Sequence, residues 1–229
     1  MDDNGGSVEE DNVTYKGEVR PGGPADTREL ADLTITKVSV GPMDNNAYLL
    51  EARQSGELVL IDAANEADRL LSLLDGRPLA RVVTTHRHQD HWVALADVVT
   101  ATGAETLAGH DDVEGIPVAT DRALDDGDEV SVGTVRLRAI TIVGHTPGSV
   151  ALVYDDPDGH PHLFTGDTLF PGGPGRTTRP EDFTSLMNDL EQKIFGKLPD
   201  NTWFYPGHGT DSTLGAERPA LSEWRARGW

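Results

Sequence analysis

The 229-residue sequence has no cysteine, no long apolar run and a shortage of positive charge. The missing cysteines exclude disulfides, thiolate metal sites, cysteine-held iron–sulfur clusters and a cysteine nucleophile together, so any metal must be held by nitrogen and oxygen. No apolar run approaches the ~20 residues needed to span a bilayer, and no membrane partner is expected. Only 19 lysines and arginines stand against 39 aspartates and glutamates, a formal net charge of -20. Nucleic-acid binding rests on basic side chains displacing phosphate counterions, so a nucleic-acid partner is not expected either. The first thirty residues lack the apolar centre of a secretory signal and the arginine-rich character of a transit peptide, which leaves a cytoplasmic location as the expectation.

What is present fits a globular chain long enough for one large domain or two small ones. Residues 1–30 are rich in Gly, Pro, Asp and Glu, with eight acidic and three basic side chains. They read as an acidic, poorly ordered leader, with the folded domain over 31–229. From Leu33 onward, "LTITKVSV", "NAYLLEA" and "ELVLIDA" are short apolar or β-branched runs between turn residues, and predict three strands. "NEADRLLSLL" has leucines at helical spacing and "ARVVTT" resumes a buried strand. The order continues with a helix at "WVALADVVTATG", a strand at "ETLAG" and a hairpin at "VSVGTVRLRAITIVG". Strands follow at "SVALVYDD", "HLFTGD" and "TWFYPG", with a helix between the last two opened by Pro180 and closed by Gly196. Strands interleaved with helices predict helix layers against sheet, an α/β chain rather than an all-β sandwich.

The chemistry is concentrated at strand ends. In "THRHQDH", His86, His88, Asp90 and His91 follow an apolar strand, where loops of layered α/β folds carry their sites. His86 and His88 alternate and can converge on one ion, while Asp90 and His91, past a bend, can face a neighbouring point. Neutral imidazole and carboxylate are common ligands of zinc and iron, and they suit manganese too, so one or two metals are predicted. Three more candidates end other strands beside glycines: His145 in "IVGHTPGS", Asp167 in "HLFTGDTLF" and His208 in "WFYPGHG". His110, His160 and His162 have weaker contexts and are left out; His160 and His162 lie in the loop-like "DDPDGHPHL" and are read as solvated. Thr84, Thr146 and Thr168 are positioned to orient ligands, with turn or strand roles as the plainer reading. Trp224 and Trp229 are read as packing residues.

Taken together these residues resemble the metallo-β-lactamase superfamily, whose signature is H-x-H-x-D-H followed by a distant His, Asp and His. The resemblance covers nearly all of Leu33 to Arg218. It implies a single-domain, four-layer αββα sandwich with two divalent metal ions at one edge of its sheets. By that pattern His86, His88 and His145 hold the first metal, Asp90, His91 and His208 the second, and Asp167 bridges them. "VGPMDNNAYLL", "GHTPGS", "FTGDTLF" and "YPGHG" are most similar to the glyoxalase II (hydroxyacylglutathione hydrolase) branch, and "STLGAER" resembles the ending of a short bacterial subgroup. "FPGGPGRTT" resembles a further family segment, with Pro174 where cysteine is usual, Arg176 at its basic, substrate-contacting position and Thr178 in place of tyrosine. Classical members carry an additional helical domain, whereas about twenty residues follow His208 here.

The resemblance thus implies a metal-dependent hydrolase of a small acyl thioester, acting through a hydroxide generated on the metals, with zinc the first expectation. Asp90 and Asp167 are the expected catalytic carboxylates, Asp90 as a proton acceptor if a single metal is bound. The rival readings are a mono-iron persulfide dioxygenase using His86, His145 and Asp167, a lactonase of the same fold, and a metal-binding module without turnover. The "YPGHG" ending looks more like the hydrolases than the dioxygenases. Oligomeric state is not legible in the sequence.

Overall fold

A strand covered on both faces must be apolar on both, a condition that the run Leu58–Ile61 meets. In the computed structural model, which describes residues 15–228, one sheet is laid down in simple sequence order. It comprises β1 (Asp26–Glu29), β2 (Leu33–Val40), β3 (Asn45–Ala52), β4 (Leu58–Ile61), β5 (Leu79–Thr84), β6 (Glu105–Gly109) and β7 (Arg122–Leu124). Pairing is antiparallel as far as β4 and parallel from β4 to β7. Parallel pairs need crossovers. Two of these are helical, α1 (Ala67–Leu73) between β4 and β5 and α2 (Leu95–Thr102) between β5 and β6.

The second sheet holds β8 (Glu129–Val132), β9 (Val135–Ile142), β10 (Ser149–Asp155) and β11 (Pro161–Gly166). A small ribbon of β12 (Leu169–Phe170) and β13 (Gly173–Pro174) then leads to α3 (Pro180–Asp189). The chain returns to the sheet as β14 (Trp203–Pro206), parallel to β11, and β15 (Ser212–Thr213), before α4 (Leu214–Glu217) and α5 (Leu221–Arg227).

Period-two alternation sorts the side chains into three apolar layers. On β2, Leu33 and Ile35 face the second sheet, where they meet Val130, Leu137, Leu152 and Phe164. Val38 and Val40 face the other way, toward Leu70 of α1 and Leu95 and Val98 of α2. On β9, Val135, Leu137 and Ala139 point between the sheets, while Ile140 and Ile142 pack with Leu186, Met187 and Trp224 on the far side. Helix, sheet, sheet, helix is the αββα order that the resemblance implies.

Three expectations change. The composition predicts a leader running to residue 30. Residues 1–14 lie outside the described residues, but from Tyr15 the chain is packed: Tyr15 is 8% exposed in the central core and β1 pairs with β2. The pairing is made by backbone, which a polar composition does not betray. The helix read over 180–196 is α-helical only to Asp189 and continues as a π-helical turn over Leu190–Phe195. His162, read as solvated, is fully buried beside the Tyr205 hydroxyl, 2.8 Å from its Nδ1. Trp224 packs as expected, 2% exposed, with its ring 6.2 Å from that of Phe195; Trp229 lies outside the described residues.

Candidate metal centre

Strands β5, β9, β11 and β14 deliver their following loops to one edge of the two sheets, and the loops carry all seven ligand candidates. After β5 the chain places His86, then His88, then turns through a short 3-10 segment, Gln89–His91, that redirects Asp90 and His91. Gly166 has φ 50, a left-handed turn that aims Asp167 back beneath the β5 loop. Gly207 precedes His208, and a Cβ there would stand 2.1 Å from Asp167 Oδ1 and 2.7 Å from His91 Cε1.

The donor atoms form three sets, each with its members within 4.8 Å of one another: His86, His88 and His145; His86, His91 and Asp167; and Asp90, His91 and His208. In the first, His88 Nδ1 lies 3.1 Å from His86 Nε2 and 2.9 Å from His145 Nε2, and those two are 3.3 Å apart. In the last, His208 Nε2 is 3.3 Å from Asp90 Oδ2 and His91 Nε2 is 3.5 Å from the same oxygen. Asp167 lies between the sets, Oδ1 3.3 Å from His91 Nε2 and Oδ2 3.4 Å from His208 Nε2 and 3.8 Å from His145 Nε2.

The outward nitrogens decide which ring atoms are lone pairs. His145 Nδ1 donates to the Arg176 carbonyl at 2.7 Å and His208 Nδ1 to the Met43 carbonyl at 2.9 Å. His91 Nδ1 donates to Asp62 Oδ2 at 2.8 Å. The Thr85 hydroxyl donates to the same Asp62 oxygen at 2.8 Å, so its own oxygen is left to accept from His86 Nδ1 at 3.1 Å. Four imidazoles thereby carry their Nδ1 proton outward and turn Nε2 inward, the atom left to bind a metal in the neutral ring.

Three ring nitrogens, of His86, His88 and His145, converge within 3.3 Å of one another, a spacing that a cation among them would satisfy. Asp167 Oδ1 is buried and has no hydrogen-bond partner, which argues the same way. Protonation follows suit. Burial opposes it, yet hydrogen bonds to Asp167 and Asp90 raise the His208 pKa to about 10. His91, equally disfavoured by burial, is pushed up by the charges of Asp62 and Asp167. Burial lowers His86 and His145. Hydrogen bonding from His208 holds Asp90 below the usual carboxylate range, and the His91 charge holds Asp167 there against its burial. The pocket therefore draws in positive charge, and a divalent cation would displace protons from His91 and His208 on entering.

Two residues that sequence reasoning passed over belong to this centre. Asp62, directly after β4 with φ 58 and only 2% exposed, orients His91 directly and His86 through Thr85. Its signal was available: an aspartate immediately after a buried strand, the same context as the ligands. Asn45 Nδ2 donates to Asp90 Oδ2 at 2.8 Å. The threonines chosen as orienters serve elsewhere. Thr146 bonds Asp112 and Thr168 bonds the Thr165 carbonyl, while Thr85, not Thr84, meets a ligand. Arg176 offers its carbonyl to His145, and the residue lines a cavity of about 200 Å³ with Phe183 and Arg227.

Gly207→Ala is expected to weaken metal binding on the order of 10-fold or more by forcing Asp167 and His91 apart, while adding or removing no donor. Elemental analysis beside circular dichroism checks it: a folded variant with wild-type metal content would refute the close-approach argument.

The chain belongs to the metallo-beta-lactamase superfamily, whose family model matches residues 40–208. Divalent-metal binding goes with that membership, and the histidine and aspartate sets are its candidate ligands. Within the superfamily the chain is 34% identical over 166 residues to a hydroxyacylglutathione hydrolase from Polaromonas sp.. That match covers 72% of this chain and 62% of the relative, so the chain spans less than two thirds of the relative's length. Among solved structures it is similar to TTHA1623 in a di-iron-bound form, at 31% identity and TM-score 0.66, covering 80% of this chain and 96% of that one. It is also similar to the BLEG-1 B3 metallo-beta-lactamase, at 28% identity and TM-score 0.71, covering 81% and 96%. Among the described residues no helix is long and apolar enough to cross a membrane.

Proposed function

We propose that this protein is a metal-dependent hydrolase of small acyl thioesters, acting as glyoxalase II does. The observation that carries the reading is the pair of three-donor sets with Asp167 between them. The similarity to hydroxyacylglutathione hydrolase adds the thioester. His86, His88 and His145 would hold one cation, and Asp90, His91 and His208 the other, with Asp167 shared. Zinc is the first choice for such a nitrogen and oxygen set, and iron or manganese also match it. When bound, two such cations lower the pKa of water and polarise a carbonyl.

The protein's own residues do the rest. Asp90, oriented by Asn45, would be a ligand of the second cation, and only with a single cation bound would it be free to take the proton of a water. The hydrogen bonds to Asp62, Arg176 O and Met43 O fix the imidazoles before substrate arrives, which removes reorganisation from the reaction. A thiolate is a good leaving group, so no strong general acid is required. Arg176 and the cavity it lines with Phe183 and Arg227 are the candidate contact for the thiol carrier.

The test pairs metal analysis of the purified protein with parallel assays of thioester hydrolysis and oxygen consumption. Two metals per chain are expected, with hydrolysis of a hydroxyacyl-glutathione thioester that chelation abolishes and added zinc restores. Oxygen uptake with a glutathione persulfide and one iron per chain would replace the hydrolase reading with the dioxygenase one.

A further inference from the structure

Lysine is rarely buried without a purpose, since an ammonium taken out of water must recover its solvation from the protein. Lys37 sits on β2 at a position that faces the second sheet, and it is fully buried. Its ammonium meets three acceptors, the Gly17 carbonyl at 2.8 Å, the Gly209 carbonyl at 2.7 Å and Asp211 Oδ1 at 2.6 Å. Three donors and three acceptors leave nothing unsatisfied. The other oxygen of Asp211 accepts from the Tyr15 hydroxyl at 2.6 Å and from Trp203 Nε1 at 3.0 Å. The pair therefore ties the segment at 15–17, β2 and the segment following β14 into one knot. Tyr15, Gly17, Lys37, Gly209 and Asp211 all fall outside residues 40–208, the span the family model matches.

What the knot holds is the backbone on the carboxyl side of His208. Gly209, whose carbonyl Lys37 binds, has φ 69 and directly follows the ligand candidate. Asn46 Nδ2 donates to that carbonyl and to Pro206 O, both at 2.9 Å, and the Asn46 N–H reaches Gly207 O at 2.7 Å. Asn46 thus holds the loop on its amino side and shares the Gly209 carbonyl with Lys37, whose charged bond is the stronger hold on the carboxyl side. The His208 ring bonds Met43 O and has the Phe170 ring 6.3 Å from it; these contacts orient the imidazole, while its reach into the centre is set by its backbone.

We propose that Lys37, paired with Asp211, is a positioning residue for the second metal position. By fixing the Gly209 carbonyl it holds His208 at the distance that Asp90 and His91 require, with no comparable hold on the set of His86, His88 and His145. The inference rests on the two-metal reading above.

Stepwise titration of chelator-stripped protein with zinc, against a competing chromophoric chelator, resolves two affinities, and His208→Ala identifies which step belongs to His208. In Lys37→Met that step weakens about 10-fold while the other changes less than about 2-fold, as expected for loss of a residue supporting a ligand. Lys37→Met/Asp211→Asn shows the same selective loss, which excludes an unpaired buried carboxylate as its cause. Should both fail to fold, Tyr15→Phe removes a single hydrogen bond from Asp211 and shifts the same step in the same direction by a smaller factor. Equal weakening of both steps, or of neither, in any folded variant overturns the proposal. A wild-type chain that takes up fewer than two metals overturns the two-metal reading instead.

Discussion

Asp167→Ala is expected to lose bound metal and to lower thioester hydrolysis by on the order of 10³-fold, the scale seen when a main electrostatic stabiliser is removed from a hydrolytic site. Asp167 is the only one of the seven candidates whose two oxygens approach nitrogens of both outer sets: His91 at 3.3 Å, His208 at 3.4 Å and His145 at 3.8 Å. Without it the centre keeps five imidazoles and a single carboxylate, Asp90. Two divalent cations would then face each other with little negative charge between them. The same carboxylate raises His208, so in the variant that imidazole loses part of the pull that keeps its proton. Metal content by elemental analysis and hydrolysis under saturating zinc are the two measurements. Full hydrolytic activity in the metal-replete variant would remove the basis for assigning the centre to this reaction.

The sequence made the ligands legible because each is punctuation at the end of an apolar run. Val82 and Val83 precede His86, Ile140 and Ile142 precede His145, Phe164 precedes Asp167, and Phe204 and Tyr205 precede His208. A buried run announces a strand, and a histidine or aspartate with glycines just beyond announces a loop with work to do. The layering was legible in outline only, since periodicity reports which residues are buried and not which sheet they meet. Leu33 and Val38 look alike in the sequence but face opposite layers. β1 was invisible because its burial pattern is half exposed throughout and its stabilising bonds are backbone to backbone with β2. Lys37 reads as an ordinary strand lysine until Gly17 and Asp211 are brought to it from opposite ends of the chain.

The supports of the ligands were harder to read than the ligands, and Asp62 is the instructive case. One carboxylate accepts the Thr85 N–H at 2.7 Å on Oδ1 and the Thr85 hydroxyl and His91 Nδ1, both at 2.8 Å, on Oδ2. It thereby sets the tautomer of a ligand in each outer set, His91 directly and His86 through the threonine. Asp62→Ala strips three buried donors of their acceptor at about 1–3 kcal/mol each before water or relaxation compensates. A melting temperature lower by roughly 10 °C follows from about 3 kcal/mol in a chain of this size. Asp62→Asn separates stability from function. The amide is the same size and its oxygen still accepts the Thr85 N–H, but its NH₂, in place of Oδ2, meets the Thr85 hydroxyl, which turns to accept, and His91 Nδ1, which must also accept and carry its proton on Nε2, inside the centre. The variant is expected to fold with a near-normal melting temperature and to bind metal on the order of 10–100-fold more weakly at the His91 position. Calorimetric unfolding of the stripped protein and competitive zinc titration measure the two quantities independently. Wild-type zinc affinity in Asp62→Asn would mean that the His91 tautomer is set by the metal itself and not by the carboxylate behind it.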